Sequence, residues 1–382
     1  MPGTTFDSER FALRADYLRA NRDGESMKIL VTGALGFIGA HFVERALTAG
    51  HQVTGLYRGA EGDKQELLES LEQQGALLAQ GDVLQPERYQ SVMVGVDCVC
   101  HFAAAFKGAN HTDEDFHHIN VLGTEAVLRA AAKAGVRRFV LCSTAGIYGQ
   151  RCAGVTDESA QARPWNSYER SKHAAEECVR RLAPQLQMEF VILRPAVVYG
   201  PRDDRLLKLF TTAAKGQFPL FGPGQGRRHM VYVTDVAEAF LLACTQPQAG
   251  NEEMIIAGPE ATPLKAMLDT LAGVVGRSRC GPRLPLAPML LLAALVEDFC
   301  KLIRINPPIY RRRMDFYRSD AAFDCSRARR LMGWQPRVSL RDGLRRTYEA
   351  TERSSSLRHV AAIAGALTIG VGYLCCVMGP LV

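Results

Sequence analysis

A doubly wound α/β fold around a parallel sheet is what this 382-residue chain predicts, with a smaller capping region late in the sequence and an apolar C-terminal helix. Three observations predict it. Short apolar runs alternate with helix-period segments from Ile29 to Leu193. The first run passes directly into a glycine-spaced turn. Val360 to Val382 holds 23 residues without one charge.

The first strand reads Ile29-Leu30-Val31, short and apolar like a strand buried on both faces. Thr32-Gly33 ends it, and Gly33, Gly36 and Gly39 follow at G-x-x-G-x-x-G spacing. Helical periodicity then runs through Phe42, Val43, Ala46 and Leu47 until Gly50 stops it. Strand, glycine turn and helix N-terminus make a phosphate cradle. The glycines admit a pyrophosphate to the backbone, and the helix end offers unbonded N–H groups with a positive partial charge.

Gln52 to Arg58 reads as the second strand. An acidic residue at its end would hold a free ribose 2′-hydroxyl, but Leu56, Tyr57 and Arg58 supply none. Arg58 suits a 2′-phosphate and favours NADP, although a solvated arginine is the plainer alternative. Glu61 to Gln74 is a charged helix. Ala76 to Gln80 is a strand, followed by Gly81-Asp82-Val83. Asp97 to Phe102 is the next strand and runs into Ala103-Ala104-Ala105, whose small side chains let a cofactor lie close. His101 reads as a hydrogen-bonded structural residue. Asn120 opens a helix that closes at Gly135, and Arg138 to Cys142 forms a strand with Ser143-Thr144 at its end. Right-handed crossovers put all these strand ends on one side, so Gly33, Ala103 and Thr144 are expected to face one crevice.

Tyr168 and Lys172 stand four apart in a helical pattern and share a face. An ammonium beside a phenol favours the phenolate and lowers its pKa from about 10, which makes Tyr168 a general acid/base candidate. Thr144 or Ser143 would hydrogen-bond the reacting oxygen.

In that order TGALGFIG, GDV, HFAAA, NVLGT, LCSTAGIYG, YERSK, LRPAVVYGPRD, RRHMVYVTDVAEA and RLMGWQPRVSLRDGL resemble an extended short-chain dehydrogenase/reductase from about Met27 to Ala350. The resemblance implies a Rossmann domain that binds NAD(P). Gly33, Gly36 and Gly39 would hold the pyrophosphate, with Phe37, Ile38 and Pro195 completing the cofactor set. Asp82 and Val83 would border the adenine, and Ala103 and Ala104 the nicotinamide. Tyr168 would exchange the substrate proton, Lys172 would bind the nicotinamide ribose, and Thr144 matches the family hydroxyl with Ser143 as its neighbour. The expected division is an extension at 1–26, the dinucleotide-binding domain at 27–200, a mainly substrate-binding cap at 201–350 with a returning Rossmann segment near 228–257, and a linker at 351–359. The cap draws on Leu206 to Phe221, Thr262 to Ile309 and the end near Arg337.

Departures from the family pattern narrow the branch. Thr144 is followed by Ala145-Gly146, so the acid pair of the dehydratases is missing, and Asp157-Glu158 lies too far on to replace it. Pro195-Ala196-Val197-Val198 lacks the asparagine of many sugar-nucleotide epimerases, yet Arg228 falls where an epimerase arginine would meet a phosphate; Arg227 or Arg228 as a surface charge is the alternative. LPLAPMLLLAALV, Leu284 to Val296, is too short to span a bilayer; with Lys301, Arg304 and Arg311 to Arg313 after it, it suits an anionic membrane surface, or else a buried cap helix. Val360 to Val382 is long enough to span, and Arg353 and Arg358 at its start place the catalytic body on the cytoplasmic side. Ala362, Ala366 and Gly370 line a small-residue face suited to packing in lipid.

The chain therefore resembles the 3β-hydroxysteroid dehydrogenase-like branch, which implies oxidation or reduction of a sterol-like or other lipid substrate at a membrane. Two rivals remain: a sugar-nucleotide or glycolipid 4-epimerase with tightly held NAD, and a membrane-tethered dinucleotide sensor without catalysis.

Composition sets outer limits. With 47% hydrophobic and 23% charged residues the chain is ordinary globular material, and a net charge of +6 with no nucleic-acid-binding motif argues against DNA or RNA as partner. Eleven cysteines without a C-x-x-C pair predict no metal site and reduced thiols in a cytosol-facing protein. Cys98 and Cys100 lie on a strand, where one is expected to face inward. Residues 1–26 are charged, without the apolar core of a signal peptide, and Phe11, Leu13 and Leu18 suggest one short helix. The partners read from the chain are a small lipophilic molecule and the membrane, and a homodimer is allowed.

Overall fold

The computed structural model describes residues 26–106, 112–149, 154–302 and 317–353. The opening strand β1 (Lys28–Thr32) feeds α1 (Phe37–Thr48), and the alternation continues through β2 (Gln52–Tyr57), α2 (Asp63–Gln73) and β3 (Leu77–Gln80). After β4 (Cys98–His101) come the one-turn α3 (Asp113–His117), a π turn at His118–Leu122, and α4 (Gly123–Lys133). Then follow β5 (Arg138–Cys142), the long α5 (Ser167–Gln185) and β6 (Glu189–Pro195).

The remaining elements weave between the sheet and a cap. They are β7 (Val197–Tyr199), α6 (Asp204–Ala214), β8 (Leu220–Phe221), β9 (Arg227–Tyr232), α7 (Val233–Thr245) and β10 (Glu252–Ile256). After them come β11 (Ala261–Pro263), α8 (Leu264–Val274), β12 (Arg283–Leu284), α9 (Leu286–Leu302), α10 (Ser326–Met332) and α11 (Leu340–Arg353).

The main sheet has the order β10-β6-β5-β4-β1-β2-β3, with every neighbouring pair parallel. This is a Rossmann-like doubly wound sheet. The chain reverses direction across the sheet between β1 and β4, which opens a crevice at their carboxyl ends. Helices cover both faces, so the central strands are buried along almost their whole length rather than alternating. Ile29 and Val31 pack with Phe42 of α1 and Phe240 of α7, whereas Leu30 packs with Val127 of α4 and Val179 of α5. A separate core in the cap joins Leu206, Phe210, Phe221, Leu264, Tyr317 and Leu344. A buried ion network ties α5 to the sheet: Arg194 of β6 forks onto Glu176 at 2.7 and 2.9 Å, and Arg180 and Glu253 extend it.

Several expectations are corrected here. Asn120 does not open a helix; it sits inside the π turn, and helical backbone already begins at Asp113. Cys98 and Cys100 both face the same core, because residues two apart on a strand share a face. Arg228 is buried, not a surface charge. α11 runs through Arg353, so the expected linker is helical over its first three residues. The uncharged segment Val360 to Val382 and the basic run Arg311 to Arg313 lie outside the described residues; among those described, no helix is long and apolar enough to cross a membrane.

Candidate active site at the sheet crevice

The glycine turn is built so tightly that side chains cannot replace its hydrogens. Gly33 sits at φ +72°, and a Cβ there would lie 2.8 Å from the Ala103 nitrogen. A Cβ on Gly39 would approach the Gly33 carbonyl oxygen to 2.2 Å, and one on Gly36 to 3.0 Å. The N-cap of α1 is Gly36, which brings no capping side chain, and the first turn carries no acidic residue. The helix start at Phe37 and Ile38 thus presents N–H groups and a positive dipole end without an internal anion, which fits a dinucleotide pyrophosphate.

Beside this cradle, β2 ends close by: the Gly33 and Ala34 amides both donate to the Leu56 carbonyl, at 2.9 and 3.1 Å. Arg58 stands exposed two residues later, and its carbonyl accepts from the Gln80 side chain. At the end of β3, Asp82 caps the Leu84 amide at 3.0 Å, and Val83 lies so close to Gly123 that a Cβ there would meet it at 2.9 Å. The glycine of NVLGT therefore lets α4 seat the Asp82-Val83 turn.

A polar chain that spacing did not reveal holds the floor of the crevice. The Ala103 amide donates to Thr32 Oγ1, and that hydroxyl contacts His101 Nδ1 at 2.8 Å. His101 Nε2 meets Thr124 Oγ1 at 3.1 Å, and Thr124 donates to the Asn120 carbonyl at 2.6 Å. Because the Thr124 hydroxyl is committed to Asn120, Nε2 carries a proton, and in the neutral ring Nδ1 accepts from Thr32. Burial, with Lys172 nearby, lowers its pKa to about 3. Asn120 extends the chain: its Oδ1 accepts from Ala105, and its Nδ2 donates to the Ala105 carbonyl and to Ser171 Oγ. A side chain in the π turn thus fastens the Ala103–Ala105 loop to the helix carrying Tyr168 and Lys172. An asparagine within an otherwise helical run was the only trace of this in the sequence.

α5 is fixed at its start. Asn166 caps it by accepting from the Glu169 amide at 2.8 Å, and Glu169 accepts from the Trp165 amide and indole. This sets Tyr168 in the first turn, half-buried, with Phe106 edge-on at 4.9 Å and Phe116 at 6.4 Å. One turn on, Lys172 is only 2% exposed. Burial lowers its pKa, while Cys142 and Glu176 nearby oppose the shift. At the end of β5, Thr144 Oγ1 accepts from the Gly146 amide, which leaves its own O–H to donate. Ser143 is buried, and among the described residues its hydroxyl has no hydrogen-bond partner. Pro195 ends β6 next to Ile256 of β10.

Other sequence candidates make contacts of their own. Glu158 accepts from the Ile255 amide on the edge strand. Arg227 pairs with Asp320, while Arg228 donates to the carbonyls of Arg227 and Ser319, and burial lowers its pKa to about 10. The sulfurs of Cys98, Cys100 and Cys244 gather within 4.8 Å inside the core, a cluster that could hold a metal ion and that sequence spacing could not show, since α7 supplies the third member.

Comparisons with known proteins agree with this geometry. The NAD dependent epimerase/dehydratase family matches residues 29–258. A 2-alkyl-3-oxoalkanoate reductase of Stenotrophomonas maltophilia is 28% identical, over 84% of this chain and 98% of its own. The mouse sterol-4-alpha-carboxylate 3-dehydrogenase (decarboxylating) is 24% identical, over 90% and 96%. A UDP-glucuronic acid 4-epimerase of Bacillus cereus, solved with NAD, is 25% identical with a TM-score of 0.69, over 86% and 99%. Oxidoreductases and sugar-nucleotide epimerases thus stand at similar distances. The cradle, the ordered strand ends and the match over most of the sheet show that this chain belongs to the NAD dependent epimerase/dehydratase family, as an extended short-chain dehydrogenase/reductase.

Proposed function

We propose that the protein is an NAD(P)-dependent oxidoreductase acting on a hydroxyl or ketone of a lipophilic substrate, sterol-like or another lipid. The observation that carries the reading is Tyr168, flanked by the rings of Phe106 and Phe116 and set one turn before buried Lys172. Two aromatic rings beside the acid/base residue offer apolar surface to a lipophilic substrate body. A reductase of branched oxoalkanoates among its relatives supports the same class.

A bound nicotinamide supplies the hydride exchange at the carbinol or carbonyl carbon. The chain's own residues do the rest. Gly33, Gly36 and Gly39 would hold the pyrophosphate, and Lys172 the ribose. Tyr168 Oη passes a proton to the carbonyl oxygen in reduction and takes it from the hydroxyl in oxidation. Thr144 donates to that oxygen, with the Ser143 hydroxyl, which has no partner among the described residues, as a second donor at the same strand end. Arg58, exposed at the end of a strand whose last residues, Leu56-Tyr57-Arg58, include no carboxylate, favours NADP over NAD. Val360 to Val382 anchors the enzyme in a membrane with the catalytic body facing the cytoplasm.

The epimerase reading is favoured by one observation, the buried guanidinium of Arg228 in the cap. Substitution of Tyr168 by Phe tests these readings together. For the oxidoreductase, turnover of lipid alcohols or ketones falls about 100- to 10,000-fold, while dinucleotide binding persists. Purified protein that retains NAD and interconverts UDP-sugars without net reduction would establish the epimerase instead. Biological activity unchanged in the Phe variant would establish a sensing module.

A further inference from the structure

Among the described residues, α9 is packed on one side only. Leu286, Met289 and Leu290 close against the cap core, and Ala293 is fully buried there. On the opposite side Leu291, Leu295 and Phe299 recur every fourth residue at 63, 60 and 61% exposure, with Leu292 beside them at 44%. Residues four apart form one stripe along a helix, so this is a continuous apolar face. Such a face on a folded protein marks a contact with another apolar phase.

Charge identifies that phase. Between residues 277 and 313 the sequence holds eight basic residues against only Glu297 and Asp298. That surplus of six equals the net charge of the entire chain, so the rest of the protein is balanced. Three of the basic residues, Arg277, Arg279 and Arg283, are exposed immediately before the helix. A second copy pairing through the same face would bring two such positive regions together, at a repulsive cost. A surface that is apolar within and negative at its boundary matches both properties.

We propose that α9 lies in the interface of an anionic phospholipid bilayer, with Leu291, Leu295 and Phe299 among the acyl chains and the exposed Arg277, Arg279 and Arg283 on the headgroups. This contact is additional to the proposed tail anchor and does not depend on the substrate. It turns the cap toward the lipid: the chain after α9 returns at Tyr317, whose ring packs edge-on to Phe221 at 4.9 Å, and at Ser319, which accepts from Arg228.

The full-length protein with bound dinucleotide is compared free and with vesicles of phosphatidylcholine alone or mixed with phosphatidylglycerol, following amide exchange of residues 286–302. Exchange about tenfold slower on the anionic vesicles is expected, weakened by high salt, because opening of a docked helix must expose its apolar face. The triple variant Leu291→Ser, Leu295→Ser, Phe299→Ser removes that protection while dinucleotide binding and exchange in α1 stay unchanged. Exchange indifferent to both vesicles overturns the proposal. So does protection that appears without lipid: if it grows with protein concentration a second copy covers the face, and if it does not, the chain's own uncharged segment does.

Discussion

Lys172→Met separates a residue kept for chemistry from one kept for the fold. Lys172 is 2% exposed, and burial is the leading cause of its lowered pKa. Glu176, the carboxylate that acts on it, is already held by Arg194 and Arg180 and needs no further cation. Removing the ammonium therefore orphans no buried charge, and the methionine fills similar volume with apolar atoms. Exchanging a buried charge for a hydrophobe under those conditions is neutral or stabilising by about 1–4 kcal/mol. Calorimetry should show Tm unchanged or raised, by about 2 °C per kcal/mol. Activity should fall about 100-fold or more, because the phenol one turn away loses its cation. The pH dependence has a definite sign. The folded pKa lies below the unfolded value of about 10.5, so the unfolded chain binds the proton more readily. The stability cost is fully present below the folded pKa and disappears as pH rises to about 10.5, so wild type gains on the variant over that window. A Tm lowered by several degrees with activity intact would refute the reasoning and make Lys172 a structural counter-ion.

Gly39→Ala should abolish dinucleotide binding, measured by titration calorimetry, because the new methyl would lie 2.2 Å from the Gly33 carbonyl oxygen and force the cradle open. Arg58→Glu should move preference from NADP toward NAD; an unchanged ratio of kcat/KM values would show that Arg58 does not meet the ribose. His101→Phe should cost about 2–4 kcal/mol in chemical denaturation, since Thr32 and Thr124 each lose a buried partner. The wild-type histidine is neutral when folded, with a pKa of about 3. Stability from this group is full above about pH 6.5 and falls by about 1.4 kcal/mol per pH unit between 6.5 and 3; the Phe variant should lack that component.

The cradle was legible because its determinants are local. Gly33, Gly36 and Gly39 follow an apolar run, and nothing distant is needed to know that such backbone can approach a phosphate. Tyr168 and Lys172 were legible for the same reason, since helical periodicity alone puts them on one face. Asn120 was not legible as an anchor, because its partners, Ala105 and Ser171, lie 15 and 51 residues away and its π turn looks like ordinary helix in sequence. Arg228 looked like a surface charge as readily as a site residue. Burial depends on what the cap folds over it, and Ser319, its acceptor, is 91 residues on.

The order of motifs along the chain determined the family, the parallel sheet and the position of Tyr168 and Lys172 on one helix, because each rests on short-range backbone geometry. Only the tertiary structure decided that His101 is neutral, that the sulfurs of three cysteines from β4 and α7 gather in one cluster, and that α9 leaves an apolar face exposed among the described residues. Those properties arise from groups meeting across long separations, where desolvation and partner geometry, not spacing, set the outcome.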